Sequence, residues 1–408
     1  MGRREPRWFR PRYDVIPLAV ASPFFRSLSL EDYGLSWIHP VASGQFSSDG
    51  SQQRRISAGR GLSWGMDTSA RELATVHALL AHRHDSTPRD LLLERQPLRG
   101  GLEAASITRV AARYRDQRGH RQVVTLVVKR LSGAAAREAL VYQHVLAPHP
   151  ERLAPGFLGA DQQGPDRSVL FLEALRPVRR WPWRDTRVAQ TVLTQAARLH
   201  QTRLSPGARA VLAAWDYEAQ LYKAARVTLQ RLERIGRDPD YRRISAGVRR
   251  VRRLVADLPA LRRQLAGFTP FEPTLIHGDL HPGNAIVRRR GGRDEAVLLD
   301  WARARVGSPL EDVSSWLQSL GCWEPEARRR HDSLLVGYLS ARGLQLKLGS
   351  ELRVAYWLAG ASNALSGALA YHLSVLLDAR VTGRRRAIAA YSAREWIRVL
   401  RRADALWR

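Results

Sequence analysis

The chain has 408 residues, of which 44% are hydrophobic, and a formal net charge of +28 at pH 7. This length is enough for a substantial hydrophobic core and for more than one lobe. The single cysteine, Cys322, excludes an intrachain disulfide framework and is typical of a reducing compartment. No run of residues approaches the ~20 apolar positions that a membrane-spanning helix needs. We therefore expect a cytoplasmic protein with no membrane span.

The positive charge comes almost entirely from arginine, since lysine occurs only at positions 129, 223 and 347. A charge of this size raises nucleic acid or an acidic membrane surface as a partner. No nucleic-acid recognition motif accompanies it, and an arginine bias also follows from a GC-rich genome. We therefore attribute most of the charge to a surface bias and do not favour nucleic acid as a partner.

The first predicted elements form a strand-rich region after an N-terminal extension. Residues 1–88 are predicted to be a partly disordered extension that ends in a helix beginning near Asp67. Residues 89–175 are predicted to form a small lobe with five strands and one inserted helix. The predicted strands are 91–98, 102–114, 122–131, 156–159 and 168–172, and the helix is 134–146.

The remainder of the chain, residues 176–408, is predicted to be mainly helical. Helices are predicted at 188–200, 212–235, 244–265, 309–320, 328–339, 352–377 and 384–406. The arginines of the third of these fall largely opposite its apolar stripe, which is typical of a solvated face. The expected fold is therefore α+β and bilobal, with a small antiparallel-sheet N-lobe and a larger helical C-lobe.

Two short polar segments between apolar runs carry the strongest chemical signal. The segment HGDLHPGN, residues 277–284, contains Asp279 and Asn284, and Asp300 follows a Val/Leu run. One carboxylate can accept the proton of an attacking hydroxyl group. An amide oxygen and a second carboxylate are hard ligands suited to Mg²⁺. This combination is typical of phosphoryl transfer.

Two other interpretations of the same segment are weaker. His277 and His281 have the spacing of a zinc-binding pair on a helix. Gly278, Pro282 and Gly283 oppose a regular helix there, however. An ordinary turn with Asx and Gly chemistry explains the loop but not Asp300 at the end of the next predicted strand.

A lysine on the strongest predicted strand supports the same chemistry. Lys129 lies beside Val127 and Val128, in a chain that otherwise uses arginine. An ammonium group on a strand can pair with nucleotide phosphates when an acidic partner orients it, and Glu138 in the following helix is the candidate partner. Gly100 and Gly101 lie between the first two strands, where glycines allow close approach of phosphates or form an ordinary hairpin turn.

Residues 277–284 resemble the catalytic loop of the aminoglycoside phosphotransferase and choline kinase-like family, a branch of the protein kinase-like fold. Leu299-Asp300-Trp301 resembles the metal-binding motif of that family, and the resemblance extends over roughly residues 89–377. It implies Asp279 as the catalytic base, Asn284 and Asp300 as Mg²⁺ ligands, and His277 and Asp312 as structural braces. It further implies that Lys129 and Glu138 position the phosphates of ATP, with GTP left open, and that the backbone of Glu173, Ala174 and Leu175 contacts the adenine.

The helical region departs from the aminoglycoside-modifying members of this family because it is heavily basic. Like charges repel a polycationic antibiotic. The expected acceptor is therefore a hydroxyl group of a neutral or anionic small molecule, such as a sugar or amino-sugar derivative. The alternative function is a catalytically silent kinase-like protein whose basic surface binds an acidic partner.

Overall fold

The computed structural model describes residues 67–84, 87–98, 104–177, 181–269 and 271–407. Its N-terminal half contains a five-stranded antiparallel sheet with the order β1-β2-β3-β5-β4. The strands are β1 (Arg89–Leu98), β2 (Ala104–Arg115), β3 (Arg121–Ser132), β4 (Phe157–Gln162) and β5 (Arg167–Glu173). The predicted small antiparallel sheet and the connectivity of its first three strands are therefore confirmed.

One face of this sheet is covered by helix α1 (Asp67–His84). Val76 and Leu80 of α1 are buried in one cluster with Leu126 and Val128 of β3. Glu72 of the same helix forms ion pairs with Arg95 and Arg130. Because side chains alternate along a strand, Lys129 projects from the opposite face of β3. The lysine therefore faces away from α1.

A helical segment links β3 to β4 across that opposite face. It consists of a 3-10 turn (Gly133–Arg137), helix α2 (Glu138–Val141) and a π-helical turn (Tyr142–Leu146). The predicted helix at 134–146 is thus present but has three hydrogen-bonding patterns. Tyr142 is fully buried and stacks on Phe157 at 6.2 Å between ring centroids. The sheet with α1 and this segment is called the sheet lobe below.

The rest of the described chain forms a helical lobe. Its helices are α3 (Thr186–Leu199), α4 (Pro206–Ala213), α5 (Tyr217–Ile235), α6 (Arg242–Ser245), α7 (Val248–Ala256), α8 (Leu258–Ala266), α9 (Pro309–Trp323), α10 (His331–Ala341), α11 (Ser350–Asn363), α12 (Leu369–Leu377) and α13 (Gly383–Trp407). Two small antiparallel pairs lie among them, β6 (Thr274–Ile276) with β9 (Arg305–Gly307) and β7 (Ala285–Arg290) with β8 (Arg293–Leu298).

Three of the predicted helices are interrupted in the structure. The helix expected at 212–235 is two helices, because Asp216 caps α5 by accepting from the Ala219 amide. The helix expected at 244–265 is three helices, and Pro259 lies in the first turn of the last of them because proline cannot continue α7. The helix expected at 352–377 contains a π-helical turn (Ala364–Ala368), in which Gly367 has φ 147°.

A continuous hydrophobic core joins the two lobes. Leu131 and Leu170 of the sheet are buried in one cluster with Leu193 of α3, Leu275 of β6 and Trp316 of α9. A second cluster, built from α5, α7, α8 and α11–α13, lies wholly in the helical lobe. In the described part of the chain, no helix combines the length and apolar character needed to cross a bilayer. The domain boundaries expected near residues 88 and 175 stay predictions.

Candidate active site

Lys129 lies at the centre of a buried ionic cluster between the lobes. Its Nζ atom donates to Glu138 Oε2 at 2.6 Å and to Asp300 Oδ1 at 2.9 Å. Burial disfavours the charged ammonium, but the two carboxylates outweigh it and raise the pKa of Lys129. The lysine is therefore firmly cationic. The contact between Lys129 and Glu138 was predicted from the sequence. The contact between Lys129 and Asp300 joins residues that are 171 positions apart.

Glu138 connects Lys129 to the backbone after Asp300. Its Oε1 atom accepts from the Trp301 amide at 3.1 Å. Burial raises the pKa of Glu138 to about 6, against the opposing effect of Lys129. Lys129 holds the pKa of Asp300 below its usual range, although burial acts in the other direction. Asp300 has φ 63°, a left-handed conformation that its neighbours must maintain.

The loop with Asp279 and Asn284 joins β6 to β7. The amide nitrogen of Asn284 donates to the Asp279 carbonyl oxygen at 3.0 Å, and the Asn284 backbone amide donates to the His281 carbonyl at 2.8 Å. These bonds close the loop across five residues. The Asp279 side chain stays 38% exposed, so its carboxylate is accessible from solvent.

Asp312, near the N-terminus of α9, holds the start of this loop. Its carboxylate accepts from the His277 amide at 2.7 Å and from the Gly278 amide at 2.8 Å. The buried His200 ring lies 3.1 Å from the same carboxylate. The brace that the family resemblance implied for Asp312 is therefore present.

His277 is committed to structure through both ring nitrogens. Its Nε2 atom is 2.8 Å from the Leu299 carbonyl oxygen, to which it donates, and its Nδ1 atom accepts from the Asp279 amide at 3.2 Å. Burial lowers the pKa of His277, so the ring is neutral. A zinc pair with His281 is excluded by this arrangement. The described residues likewise contain no group of three or more His, Cys, Asp or Glu side chains able to hold a metal.

Asn284 and Asp300 are the residues that could hold a hard cation, because both supply oxygen donors. The Leu299 amide donates to the Asn284 carbonyl at 2.8 Å, and the register pairs Ala285 with Leu298. The two side chains therefore start from the same end of the β7–β8 hairpin. The side-chain nitrogen of Asn284 donates to the Asp279 carbonyl oxygen, so the side-chain oxygen of Asn284 is the atom that could bind a metal. Lys129 donates to one of the two carboxylate oxygens of Asp300. Oxygen donors of this kind suit Mg²⁺.

Of the other residues predicted to contact the nucleotide, the structure describes Glu173, Ala174 and Leu175. Glu173 ends β5 and lies opposite Leu126 of β3, and Ala174 and Leu175 follow it directly. Glu173 lies 3.9 Å from Arg288 of β7, so this position is at the junction of the lobes, and the adenine contact stays a prediction. Gly100 and Gly101 lie outside the described residues.

Two arginines, Arg262 and Arg305, lie behind the Asp279 loop, and neither was predicted to lie there from the sequence. Arg305 donates to the Gly278 carbonyl at 3.3 Å, stacks on the Tyr217 ring at 3.5 Å and bonds the buried Glu311 at 3.2 Å. Arg262 bonds Glu311 as well. The position of Arg305, five residues after Asp300, was the one available signal in the sequence, but many other arginines made it inconspicuous.

The arrangement of an antiparallel sheet lobe, a helical lobe and an ionic cluster between them defines a protein kinase-like fold. A family model described as the phosphotransferase enzyme family, APH, matches residues 67–344. The chain therefore belongs to this family, as its motifs indicated. No curated protein sequence matches the chain.

Solved structures similar to this chain have low sequence identity to it, and the ethanolamine kinase below shares its fold. An ethanolamine kinase from Plasmodium vivax has 10% identity and a TM-score of 0.51, with 85% of this chain and 95% of that chain covered. A spectinomycin phosphotransferase in complex with ADP and spectinomycin has 13% identity and a TM-score of 0.45, over 82% and 98% of the chains. An aminoglycoside phosphotransferase from Streptomyces rimosus has 14% identity and a TM-score of 0.41, over 72% and 98%.

Proposed function

We propose that this protein is an ATP- and Mg²⁺-dependent kinase that phosphorylates a hydroxyl group of a small molecule. The observation that carries the proposal is the double contact of Lys129 Nζ, 2.6 Å from Glu138 and 2.9 Å from Asp300. This contact supports a phosphate site beside the Asp279 loop. Membership of a phosphotransferase family supports the same reaction type.

Each predicted site residue has a distinct task in this proposal. Lys129 binds the α- and β-phosphates of ATP, and Glu138 keeps its ammonium group in place. The backbone of Glu173 to Leu175 meets the adenine. Asn284 and Asp300 would hold Mg²⁺, which would neutralise charge on the phosphates when bound.

Asp279 acts on the acceptor. Its carboxylate accepts a hydrogen bond from the acceptor hydroxyl and orients the oxygen toward the γ-phosphorus. The hydroxyl oxygen forms a bond to that phosphorus while the bond to the β–γ bridging oxygen breaks. The hydroxyl proton passes to Asp279, and ADP leaves with the bridging oxygen. Asn284 supports this geometry because its amide nitrogen bonds the Asp279 carbonyl at 3.0 Å.

The charges around the loop favour a neutral or anionic acceptor, such as a sugar or amino-sugar derivative. Glu311 is buried between Arg262 and Arg305, and Arg262 also bonds Glu218 at 2.9 Å. Asp312 is engaged by His200 and the loop amides. The carboxylates that these contacts place beside the loop are therefore already paired, which disfavours capture of a polycation.

The test is a phosphorylation assay with a panel of hydroxylated metabolites, run on wild type and on Asp279→Asn. With an acceptor that is turned over, Asp279→Asn should lower kcat by about 10²- to 10⁴-fold and change ATP affinity by less than about threefold. Asp294→Asn is the matched control, because Asp294 lies on the β7–β8 hairpin and pairs with Arg289. It should retain the wild-type kcat.

Two results would contradict the proposal. Equal activity of Asp279→Asn and wild type would remove Asp279 from the reaction. Tight nucleotide binding by wild type without phosphorylation of any acceptor would favour the alternative, a catalytically silent binding protein.

A further inference from the structure

The backbone after Asp300 is held to the sheet lobe by Arg137, a residue that the proposed reaction does not use. Arg137 ends the 3-10 turn and directly precedes Glu138. Its Nη1 atom donates to the Ala302 carbonyl oxygen at 2.7 Å and to the Ala304 carbonyl oxygen at 2.9 Å. Ala302 and Ala304 are buried, so little water can replace these bonds.

Asp300 thus lies between two anchored stretches of backbone. On its N-terminal side, the Leu299 amide bonds the Asn284 carbonyl and the Leu299 carbonyl accepts from His277, both at 2.8 Å. On its C-terminal side, Glu138 accepts from the Trp301 amide and Arg137 donates to two carbonyls. The left-handed φ of 63° at Asp300 needs such support, since β-region and helical conformations compete with it.

Arg137 also contacts the helical lobe. Its guanidinium lies 4.9 Å from the centroid of the Trp215 ring, in the connection between α4 and α5. This is the geometry of a cation–π contact. Burial, followed by the neighbouring Arg305, lowers the pKa of Arg137 to about 10, which leaves the side chain charged at neutral pH. Arg137 therefore joins the sheet lobe to two parts of the helical lobe, the segment after Asp300 and the connection between α4 and α5.

We propose that Arg137 is a positioning residue that fixes the Trp301–Ala304 backbone and thereby the orientation of the Asp300 carboxylate. The consequence for metal binding rests on the proposed function, in which Asp300 is a metal ligand. The positioning itself does not, because its contacts exist without nucleotide. An arginine with a purely structural role would stabilise the whole fold and would not act on this segment selectively.

The first measurement is hydrogen exchange of the unliganded protein. The Trp301 amide is bonded by Glu138, and the Ala304 amide donates to the Trp301 carbonyl at 3.0 Å. Arg137→Met should accelerate exchange of these amides by about tenfold or more, since two hydrogen bonds are lost. Arg130→Met is the matched control. It removes an arginine of the same lobe that pairs with Glu72 of α1, on the face of the sheet opposite Lys129. The exchange rates of the Trp301 and Ala304 amides should not change.

The second measurement is ADP affinity with and without Mg²⁺. Arg137→Met should reduce the Mg²⁺-dependent gain in affinity by about tenfold and leave metal-free affinity within about twofold, whereas Arg130→Met should alter neither. If Arg137→Met fails to fold, Arg137→Lys and Trp215→Leu replace it. Each should give a smaller acceleration of exchange in the same segment.

Unchanged exchange at Trp301 and Ala304 in a folded Arg137 variant would overturn the positioning role, whatever the nucleotide data show. Uniformly faster exchange throughout the protein would also overturn it, because that is the signature of general destabilisation. A wild type without any Mg²⁺-dependent gain would contradict the proposed metal site. The exchange data would still decide the role of Arg137.

Discussion

At the scale of single residues, Asp312 holds the start of the loop that contains Asp279. It accepts from two consecutive loop amides, those of His277 and Gly278, and from the His200 ring. Burial alone would raise its pKa, yet these partners hold the pKa of Asp312 below its usual range. The carboxylate therefore remains ionised while buried.

The free energy of unfolding should depend on pH because His200 is buried in its neutral form. Burial lowers the pKa of His200 below 6.5, and the Tyr338 hydroxyl lies 2.7 Å from its Nδ1 atom. Below about pH 6.5 the unfolded chain binds a proton at this position that the folded chain does not, so stability falls as pH falls. Between about pH 7.5 and pH 5.5 this costs at most about 1.4 kcal/mol for one histidine.

Urea unfolding of wild type and His200→Gln at the two pH values measures this contribution. The glutamine amide can still donate to Asp312 but does not titrate in this range. The loss of stability between the two pH values should therefore be smaller in His200→Gln than in wild type. An equal loss in both proteins would show that His200 does not contribute to the pH dependence.

At the scale of elements, the junction between β6 and the catalytic loop depends on a glycine. Gly278 has φ 81°, and a Cβ atom there would lie 2.2 Å from the Arg303 carbonyl oxygen and 2.2 Å from Arg305 Nη1. The loop is thus packed directly against the segment between Asp300 and β9. No side chain at position 278 fits between the loop and this segment, which accounts for the glycine in the HGDLHPGN motif of this chain.

Gly278→Ala should destabilise the protein by about 2–4 kcal/mol, from backbone strain together with overpacking. It should also lower kcat by at least about tenfold, because Asp279 is the next residue. Gly292→Ala is the matched control, since Gly292 has φ 79° and nothing within 4 Å of the added Cβ. It should cost only about 1 kcal/mol and retain kcat. Equal effects of the two substitutions in urea unfolding would refute the packing argument.

At the scale of the whole molecule, the net charge of +28 acts on any charged acceptor that approaches the site. The ionic contacts around the loop involve Arg262 and Arg305, with Glu311 as the buried carboxylate between them, and Arg137 lies nearby with its guanidinium on the Ala302 carbonyl. An anionic acceptor is attracted by such a field and a polycation is repelled, and salt weakens both effects.

This field predicts the sign of the salt dependence of catalysis. On going from about 50 mM to about 300 mM NaCl, kcat/KM should fall for an anionic acceptor, change little for a neutral one and rise for a polycation. Steady-state kinetics with acceptors of different charge measure this directly. A polycationic acceptor with its highest kcat/KM at low salt would contradict the proposed acceptor class.

The local signals in the sequence were sufficient for the sheet, the Asp279 loop and the pairing of Lys129 with Glu138. Strands such as β3 carry a long run of β-branched residues, and the loop motif is short and contiguous. Breaks in long helices were less readable, because Asp216 caps a helix inside an otherwise continuous apolar pattern. The helix break near Pro259 could have been predicted, because proline has no backbone N–H to donate within a helix.

The roles of Arg305 and Arg137 depend on the tertiary structure. Arg137 meets Ala302 across 165 positions, and its sequence neighbours indicate nothing about that contact. An arginine-rich chain contains many similar side chains, and only folding distinguishes those that are buried against backbone carbonyls from those that are solvated. Periodicity and motifs report local preferences, whereas the partner of a long side chain is chosen by packing between distant elements.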